Sequence, residues 1–337
     1  MHTETNTPNP ATNTDLPFRV LLYYRYTLLE NPETYRDEHH RFCLEHRLLG
    51  RVIIAREGLN GSVSGRTADC EAYMAWLLAD PRFAVIDFKV ECCATVAFQK
   101  LHVRVKEEIV NSDLLVNPLV RTGIHLEPAE FKKLKDDPDV VLIDMRSRYE
   151  HEVGRFKGAV TFGMDNLREL PEHMADIGHL KSKKIITYCT GGVKCEKASA
   201  YLLERGFQNV YQLHGGIIKY GLEQGGEDFE GACYVFDNRV TTEVNRVNPS
   251  TVAQCSVCTA PTNRMVNCAN PECNDHLPMC DDCGWIAEGC CSTACREHPR
   301  VRPYDGTGYY PRETNGYTAL QGYRSGAKAK TARKTGA

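Results

Sequence analysis

Apolar and polar positions change rhythm along this chain, and each rhythm predicts a different architecture. Over the first hundred or so residues, short β-rich runs alternate with helical patterns. Phe18–Tyr26 reads as a strand, residues 32–48 after Asn31-Pro32 as a helix, and Arg51–Ala55 as a second strand. Gly58-Leu59-Asn60-Gly61 reads as a turn, because Asn-Gly favours hairpins, and Ser62–Ser64 continues as a strand. Thr67–Leu78 follows as a helix and Val85–Val90 as a fourth strand. The order βαββαβ predicts a ferredoxin-like sheet with both helices on one side. Leu101–Val110 adds a further strand, with Arg104 and Lys106 on it.

After a linker at 111–125 the pattern becomes that of buried parallel strands. Pro128–Leu134 is a short helix, and Val140-Val141-Leu142-Ile143 is apolar without alternation before Asp144-Met145-Arg146. A helix is expected near 165–175. Lys183–Tyr188 is a strand, the residues after Lys194 form a helix that Gly206 stops, and Asn209–Leu213 is a strand ending in His214-Gly215-Gly216. Strands that alternate with helices predict a doubly wound α/β domain. Ligands of such sheets bind at the carboxyl ends of the strands. Asp144 and Arg146, Cys189, and His214-Gly215-Gly216 all fall at such ends.

The chemistry concentrates at Cys189. Between strand and helix lies Cys189-Thr190-Gly191-Gly192-Val193-Lys194-Cys195. A glycine-rich turn entering a helix N-terminus aims backbone N–H groups at one point and favours negative charge there. A thiol at that point, normally near pKa about 8.5, is expected to shift toward or below 7 and to be exposed as a reactive thiolate. Lys194 adds to the effect. A buried structural cysteine is the competing reading. Cys195 is placed either to resolve an oxidised or persulfidated Cys189 or simply as a buried thiol on the helix.

The rear of the chain has no core-forming rhythm, only cysteines. Of the 16 in the 337 residues, nine lie between Cys255 and Cys295. Cys255-x-x-Cys258, Cys268-x4-Cys273, Cys280-x-x-Cys283 and Cys290-Cys291-x3-Cys295 supply four pairs, enough for two four-thiolate zinc sites. Either a cross-braced or a sequential pairing is open. Cys290 or Cys291 is left over, with His276 and His298 as reserve ligands. Structural zinc would replace the core this segment lacks.

Composition changes the picture little. The chain is 42% apolar and 25% charged, with formal net charge −3, so there is no global pull toward nucleic acid. No apolar run approaches the roughly 18–20 residues of a membrane span. The first residues lack a secretory pattern, so a cytoplasmic location is expected, without membrane partners. Local charge is more informative. Arg56, Lys100, Arg104 and Lys106 form either a basic RNA-binding surface or scattered surface charge. Residues 301–337 hold seven Lys/Arg against two Asp/Glu, with five tyrosines interleaved. They read as an RNA-binding tail or a charged, disordered end. His39, His40 and His46 share a predicted helix; His39 and Cys43 are four apart, but no acid or second cysteine completes a metal set, so they read as a solvated face. There is no Gly-x-Gly-x-x-Gly after a strand for a flavin or nicotinamide, and no two-histidine, one-carboxylate motif for iron.

The segment around Cys189 resembles a rhodanese domain over about residues 125–228. The resemblance rests on Leu142-Ile143-Asp144-Met145-Arg146, Glu150, Gly154–Ala159, Tyr188–Lys194 and Leu213–Gly216. It implies that Cys189 can carry a sulfane sulfur as a persulfide cradled by the loop Thr190–Lys194. Arg155 and Lys194 depart from the histidine and arginine of many members. The related phosphatase loop is one residue longer and ends in Arg, where this chain has Cys195. The whole chain, from 17 to about 300, is similar to the bacterial oxygen-dependent tRNA uridine hydroxylase family. That resemblance implies a monooxygenase-type enzyme that adds a hydroxyl to C5 of the wobble uridine, position 34. Its co-substrate would be molecular oxygen, its partners tRNA and an unidentified electron donor. A sulfurtransferase is the second reading, and a non-enzymatic scaffold the third. The expected organisation is disorder at 1–16, a ferredoxin-like domain at 17–112, the rhodanese domain at 125–228, a cysteine-rich module at 250–300 and the tail from 301.

Overall fold

The structure, a computed structural model, describes residues 15–310. Most of the expected disordered segment, and the tail from residue 311, lie outside the described residues. The described chain divides into two compact units between Ile109 and Val110.

The first unit is built from β1 (Phe18–Tyr26), α1 (Pro32–Glu45), β2 (Leu49–Ala55), β3 (Gly58–Arg66), α2 (Thr67–Ala79), β4 (Lys89–Cys93) and β5 (Leu101–Val105). Its sheet order is β4-β1-β3-β2-β5. The first four strands pair antiparallel, which is the ferredoxin-like arrangement, and β5 joins β2 in parallel. Tyr35, His39 and Cys43 lie four residues apart on α1 and are buried, as are Cys70, Tyr73 and Leu77 on α2. The helices meet through them. The Tyr73 hydroxyl lies 2.7 Å from His39 Nε2 and also bonds the Tyr23 hydroxyl of β1.

Three expectations need correction here. His39 is not on a solvated face but fully buried, and burial, with a smaller push from His40, lowers its pKa to about 3. Gly58–Gly61 is not a turn; these residues begin β3, and the chain reverses at Arg56-Glu57. The fourth strand starts at Lys89, because turns bonded from Phe83 to Asp80 and from Ile86 to Phe83 occupy the preceding residues.

The second unit opens with β6 (Ile124–Leu126), α3 (Pro128–Leu134), β7 (Val140–Asp144), α4 (Arg148–Val153) and β8 (Gly154–Phe156). A 3-10 helix at Leu167–His173 leads into the short α5 (Met174–Ile177). The expected regular helix there is broken because Pro171 has no N–H to donate. Then come β9 (Lys184–Tyr188), α6 (Val193–Glu204), β10 (Asn209–Leu213) and α7 (Gly216–Gln224). Strands β6-β10-β9-β7 form one parallel sheet. Ile143 and Ile185 pack with Ala198, Tyr201 and Leu202 of α6. Tyr188 packs instead with Phe156, which in turn meets Phe131, Tyr220 and Phe229. Two separate sets of contacts from one sheet make the domain doubly wound.

The rear packs on in short pieces: β11 (Phe229–Gly231) against β8, then β12 (Cys233–Tyr234) with β13 (Thr241–Thr242), and β14 (Met265–Asn267) with β15 (His276–Pro278). Two helices of one turn or so, α8 (Asp281–Ile286) and α9 (Thr293–Arg296), complete it. The start of the expected tail is folded. Arg302 is buried, donates to the carbonyls of Cys268 and Ala269, and lies 4.0 Å over the Tyr310 ring.

Candidate active site

Cys189 follows directly on β9, and the next three residues turn the chain into α6. Gly192 caps that helix at φ +99°, a conformation that favours glycine, and its N–H points to Cys189 Sγ at 3.2 Å. The loop is held from behind by α7. Ile217 and Ile218 donate their N–H groups to the carbonyls of Cys189 and Thr190 at 3.0 and 3.1 Å. Gly216 permits this approach, since a Cβ there would stand 2.5 Å from the Cys189 oxygen.

The thiol differs from expectation in one respect: it is only 2% exposed. The loop closes over the sulfur, and Cys189 joins the cluster that includes Cys195 and Ala198. Burial by itself would raise its pKa. The Cys195 side chain, the Lys194 charge and the N–H groups of Lys194 and Gly192 outweigh that and bring it down to about 7. Burial and the neighbouring Cys189 push Cys195 well up, so the first proton to leave the pair is that of Cys189.

Lys194 is fixed by Glu150, whose fully buried carboxylate lies 2.6 Å from its Nζ. Glu150 also accepts the Ser147 N–H at 3.0 Å and the Thr190 hydroxyl at 3.4 Å. Burial opposes its charge, but Lys194, Arg146 and the Ser147 N–H keep its pKa below the usual range. Asp144 and Arg146 are spent on each other, through a two-pronged pair at 2.9 and 2.7 Å. Arg146 also donates to the carbonyls of Glu150 and Gly154, fastening the middle and the C-terminal end of α4 beside β7.

The cysteines of the rear converge in two sets, Cys255, Cys258, Cys280 and Cys283, and Cys268, Cys273, Cys291 and Cys295. This is the cross-braced pairing, first pair with third and second with fourth, and Cys290 is the one left over. Sulfur separations of 3.7, 3.6 and 3.5 Å are too long for disulfides. They suit a tetrahedron whose centre lies about 2.3 Å from each sulfur. Both sets could hold a metal ion. His276 and His298 are not reserve ligands: His276 lies 2.9 Å from the Tyr234 hydroxyl and His298 pairs with Glu272.

With this geometry in hand, comparison with known proteins is direct. The family model for a UPF0176 acylphosphatase-like domain matches residues 18–109, a rhodanese-like domain 127–223, and a rhodanese C-terminal region 230–296. A protein named tRNA uridine(34) hydroxylase from Cytophaga hutchinsonii is 62% identical over 89% of this chain and 96% of its own length. The chain belongs to the tRNA uridine(34) hydroxylase family. Relatives of the same name from Bacillus cytotoxicus and Staphylococcus epidermidis are 44% and 41% identical, each over 85% of this chain and over 90% and 91% of their own lengths.

Against that family, the sequence reading found the loop residues Thr190–Lys194 but not what holds them. Glu150 drew notice only through the rhodanese pattern, although an acid three residues after Ser147 is a capping-box signal. The N–H groups of Ile217 and Ile218 leave no side-chain signature. Of the four basic residues proposed for RNA, Arg56, Arg104 and Lys106 are exposed and Lys100 is largely buried.

Proposed function

We propose that this chain hydroxylates uridine 34 of tRNA to 5-hydroxyuridine, consuming molecular oxygen. The observation that carries this reading is the match to relatives of that name along most of the chain, the first of them at 62% identity. Cys189 is the reacting group. Thr190, Gly191, Gly192, Val193 and Lys194 hold its thiolate, and Asp144 and Arg146 position α4 beside it. Arg56, Lys100, Arg104 and Lys106 serve tRNA phosphates. Zinc in each tetrad would be structural, since four thiolates leave no open position. Among the described residues no helix is long and apolar enough to cross a membrane, and the substrate places the work in the cytoplasm.

The electron count gives Cys195 a role. Oxygen accepts four electrons on reduction to the level of a hydroxyl and water, and the uracil C5–H bond supplies two. In this reading the Cys189 thiolate supplies the other two and takes the second oxygen atom as a sulfenate. The Cys195 thiol attacks that sulfur, water leaves, and a Cys189–Cys195 disulfide remains. A dithiol reductant restores both thiols.

Nucleoside mass spectrometry of tRNA from cells lacking the protein tests the reading. The 5-hydroxyuridine derivatives should vanish and return with wild type but not with Cys189→Ala. The low thiol pKa in a rhodanese loop favours one second reading, sulfur transfer from a Cys189 persulfide. Intact hydroxylation with lost thiolated nucleosides would establish it instead.

A further inference from the structure

The sheet of the first unit has a second face, away from the Tyr23–Tyr73 side, and its composition is unusual for a half-covered sheet. Strand register defines it. Leu22 pairs with Ser62, Ser62 with Arg51, and Arg51 with His102. Two residues further along, Tyr24 pairs with Asn60, Asn60 with Ile53, and Ile53 with Arg104. Directly paired residues share a face, and so do residues two apart, so these two rows form one surface. Arg104 is exposed; Tyr24, Arg51, Asn60, Ser62 and His102 are half-buried. An ordinary solvated sheet face would show polar side chains of mixed charge. This one combines two arginines, an aromatic ring, an imidazole, an amide and a hydroxyl with two half-buried aliphatic side chains, Leu22 and Ile53.

The local charge is positive. His102 is kept neutral, its pKa lowered to about 4 first by burial and then by Arg104, Arg51 and Lys100. Three cations therefore act together at the β2–β5 side of the face. Toward the opposite edge the charge is balanced: Lys89 meets Asp87 at 3.5 Å and lies 5.2 Å over the Tyr24 ring, and Glu91 sits in the same strand. The positive end thus adjoins rings and neutral hydrogen-bonding groups. A double helix offers a protein mainly phosphates, whereas a single strand offers phosphates, base planes and base edges together.

We propose that this face binds the single-stranded anticodon-loop nucleotides of the tRNA. Arg51 and Arg104 take the phosphates, Tyr24 and His102 present ring planes for bases, and Ser62 and the Asn60 amide oxygen meet base edges, Asn60 Nδ2 donating to the Ile109 carbonyl at 3.0 Å. The proposal rests on the tRNA reading above and adds to it the strand that is recognised and the surface that recognises it. Arg51, Tyr24, Asn60, Ser62 and His102 escaped the sequence reading because no spacing rule brings residues from four strands together.

Fluorescence anisotropy on the full chain tests it, with a labelled 17-nucleotide anticodon stem-loop and a labelled RNA duplex of equal length. The stem-loop should bind at least tenfold tighter than the duplex. Arg51→Glu/Arg104→Glu should lose at least tenfold in stem-loop affinity, and Arg51→Lys/Arg104→Lys should keep most of it. The double alanine variant at these positions should lower the salt slope of log affinity by about 1.4, at about 0.7 for each single-strand phosphate contact. Tyr24→Ala should weaken the stem-loop about fivefold or more and leave the salt slope unchanged. Unaltered Cys189 alkylation in every variant would show that the rest of the chain is intact. Equal binding of stem-loop and duplex, or wild-type affinity in the glutamate variant, would overturn the proposal. So would a chain that ignores both RNAs and sediments with anionic vesicles, which would make the face a membrane surface. Failure of the hydroxylase reading is seen separately, as unchanged 5-hydroxyuridine in cells lacking the protein.

Discussion

Tyr149 stacks its ring on His276, with centroids 4.4 Å apart and planes 19° from parallel. The contact joins the cysteine module to the active site by a short path. His276 follows Asp275, whose carbonyl takes the N–H of Cys268, a member of the second tetrad. Tyr149 precedes Glu150, which holds Lys194 and Thr190 of the Cys189 loop. The cysteine module can thus bear on the shape of the Cys189 loop.

With metal held in the tetrads, its removal should therefore reach Cys189. In a chelator the Cys189 peptide, followed by mass spectrometry, should be alkylated several-fold faster as its burial is lost. His276→Ala should keep two metals per chain but lose about 1 kcal/mol of ring contact, a fall in Tm of about 2–4 °C. Unchanged Cys189 alkylation in the chelator would mean that the path through Tyr149 carries nothing.

The thiol itself gives a pH signature. Despite burial, the Cys195 side chain, Lys194 and the loop N–H groups bring Cys189 down to about 7 in the folded chain, below the ordinary thiol range. A depressed pKa contributes stability that is full above the unfolded value and is lost as pH falls through the folded one. Cys195, pushed upward, has the opposite sign: above about 9 the unfolded chain gains by ionising it. Within this pair, only the Cys189 contribution changes between pH 7 and 9, and the depressed thiols of the rear module cancel in the comparison with Cys189→Ser. Wild type should gain stability over Cys189→Ser across that window in urea melts, and the gain should flatten above it. Alkylation of Cys189 should rise with a midpoint near 7, moving upward in Cys195→Ala, which removes a hydrogen bond to the thiolate. A difference between wild type and Cys189→Ser that stays flat from pH 7 to 9 would contradict the assignment.

Lys194 and Glu150 should behave as a pair. Lys194→Met leaves a fully buried carboxylate without its cation, which costs about 3 kcal/mol or more. It also raises the Cys189 pKa, because Lys194 is one of the groups that lower it. Glu150→Gln has the reverse effect on the thiol, since Lys194 is then no longer neutralised. Lys194→Met/Glu150→Gln should regain most of the stability while the thiol pKa stays high. Chemical denaturation together with alkylation against pH separates the two quantities.

The sequence made the rhodanese strands and the cysteine loop legible because each is local. A short run ending in His214-Gly215-Gly216 marked β10 to the residue, and Pro128 marked the start of α3. What stayed hidden depends on distant partners. Asn60-Gly61 has the chemistry of a hairpin turn, yet Gly61 lies in mid-strand. A Cβ there would meet the Tyr23 hydroxyl at 2.2 Å, so the glycine makes room for a ring rather than reversing the chain. His39 looked solvated because its partner Tyr73 comes 34 residues later. The cross-brace was open for the same reason: spacing fixes which cysteines pair locally, and only the fold fixes which pairs meet.

Gly216 offers the sharpest test of the loop, because its effect on the thiol acts wholly through backbone. The residue sits at φ +67°, which disfavours any side chain by roughly 1–2 kcal/mol. An alanine Cβ would also stand 2.5 Å from the Cys189 oxygen, 2.7 Å from the Thr190 oxygen and 2.8 Å from the Gly192 nitrogen. Those atoms are backbone and cannot swing aside, so the loop must move. Any such movement draws the Gly192 N–H away from Cys189 Sγ and weakens one of the donors that hold the thiolate. Gly216→Ala should therefore raise the Cys189 pKa and slow alkylation at pH 7, while the rate at pH 10 stays near wild type. Gly158→Ala is the matching control, at φ +73° with nothing within 4 Å of the new Cβ. It carries the same backbone strain and should lose similar stability without shifting the thiol. If both variants leave the alkylation profile where it was, the α7 clamp does not set the reactivity of Cys189.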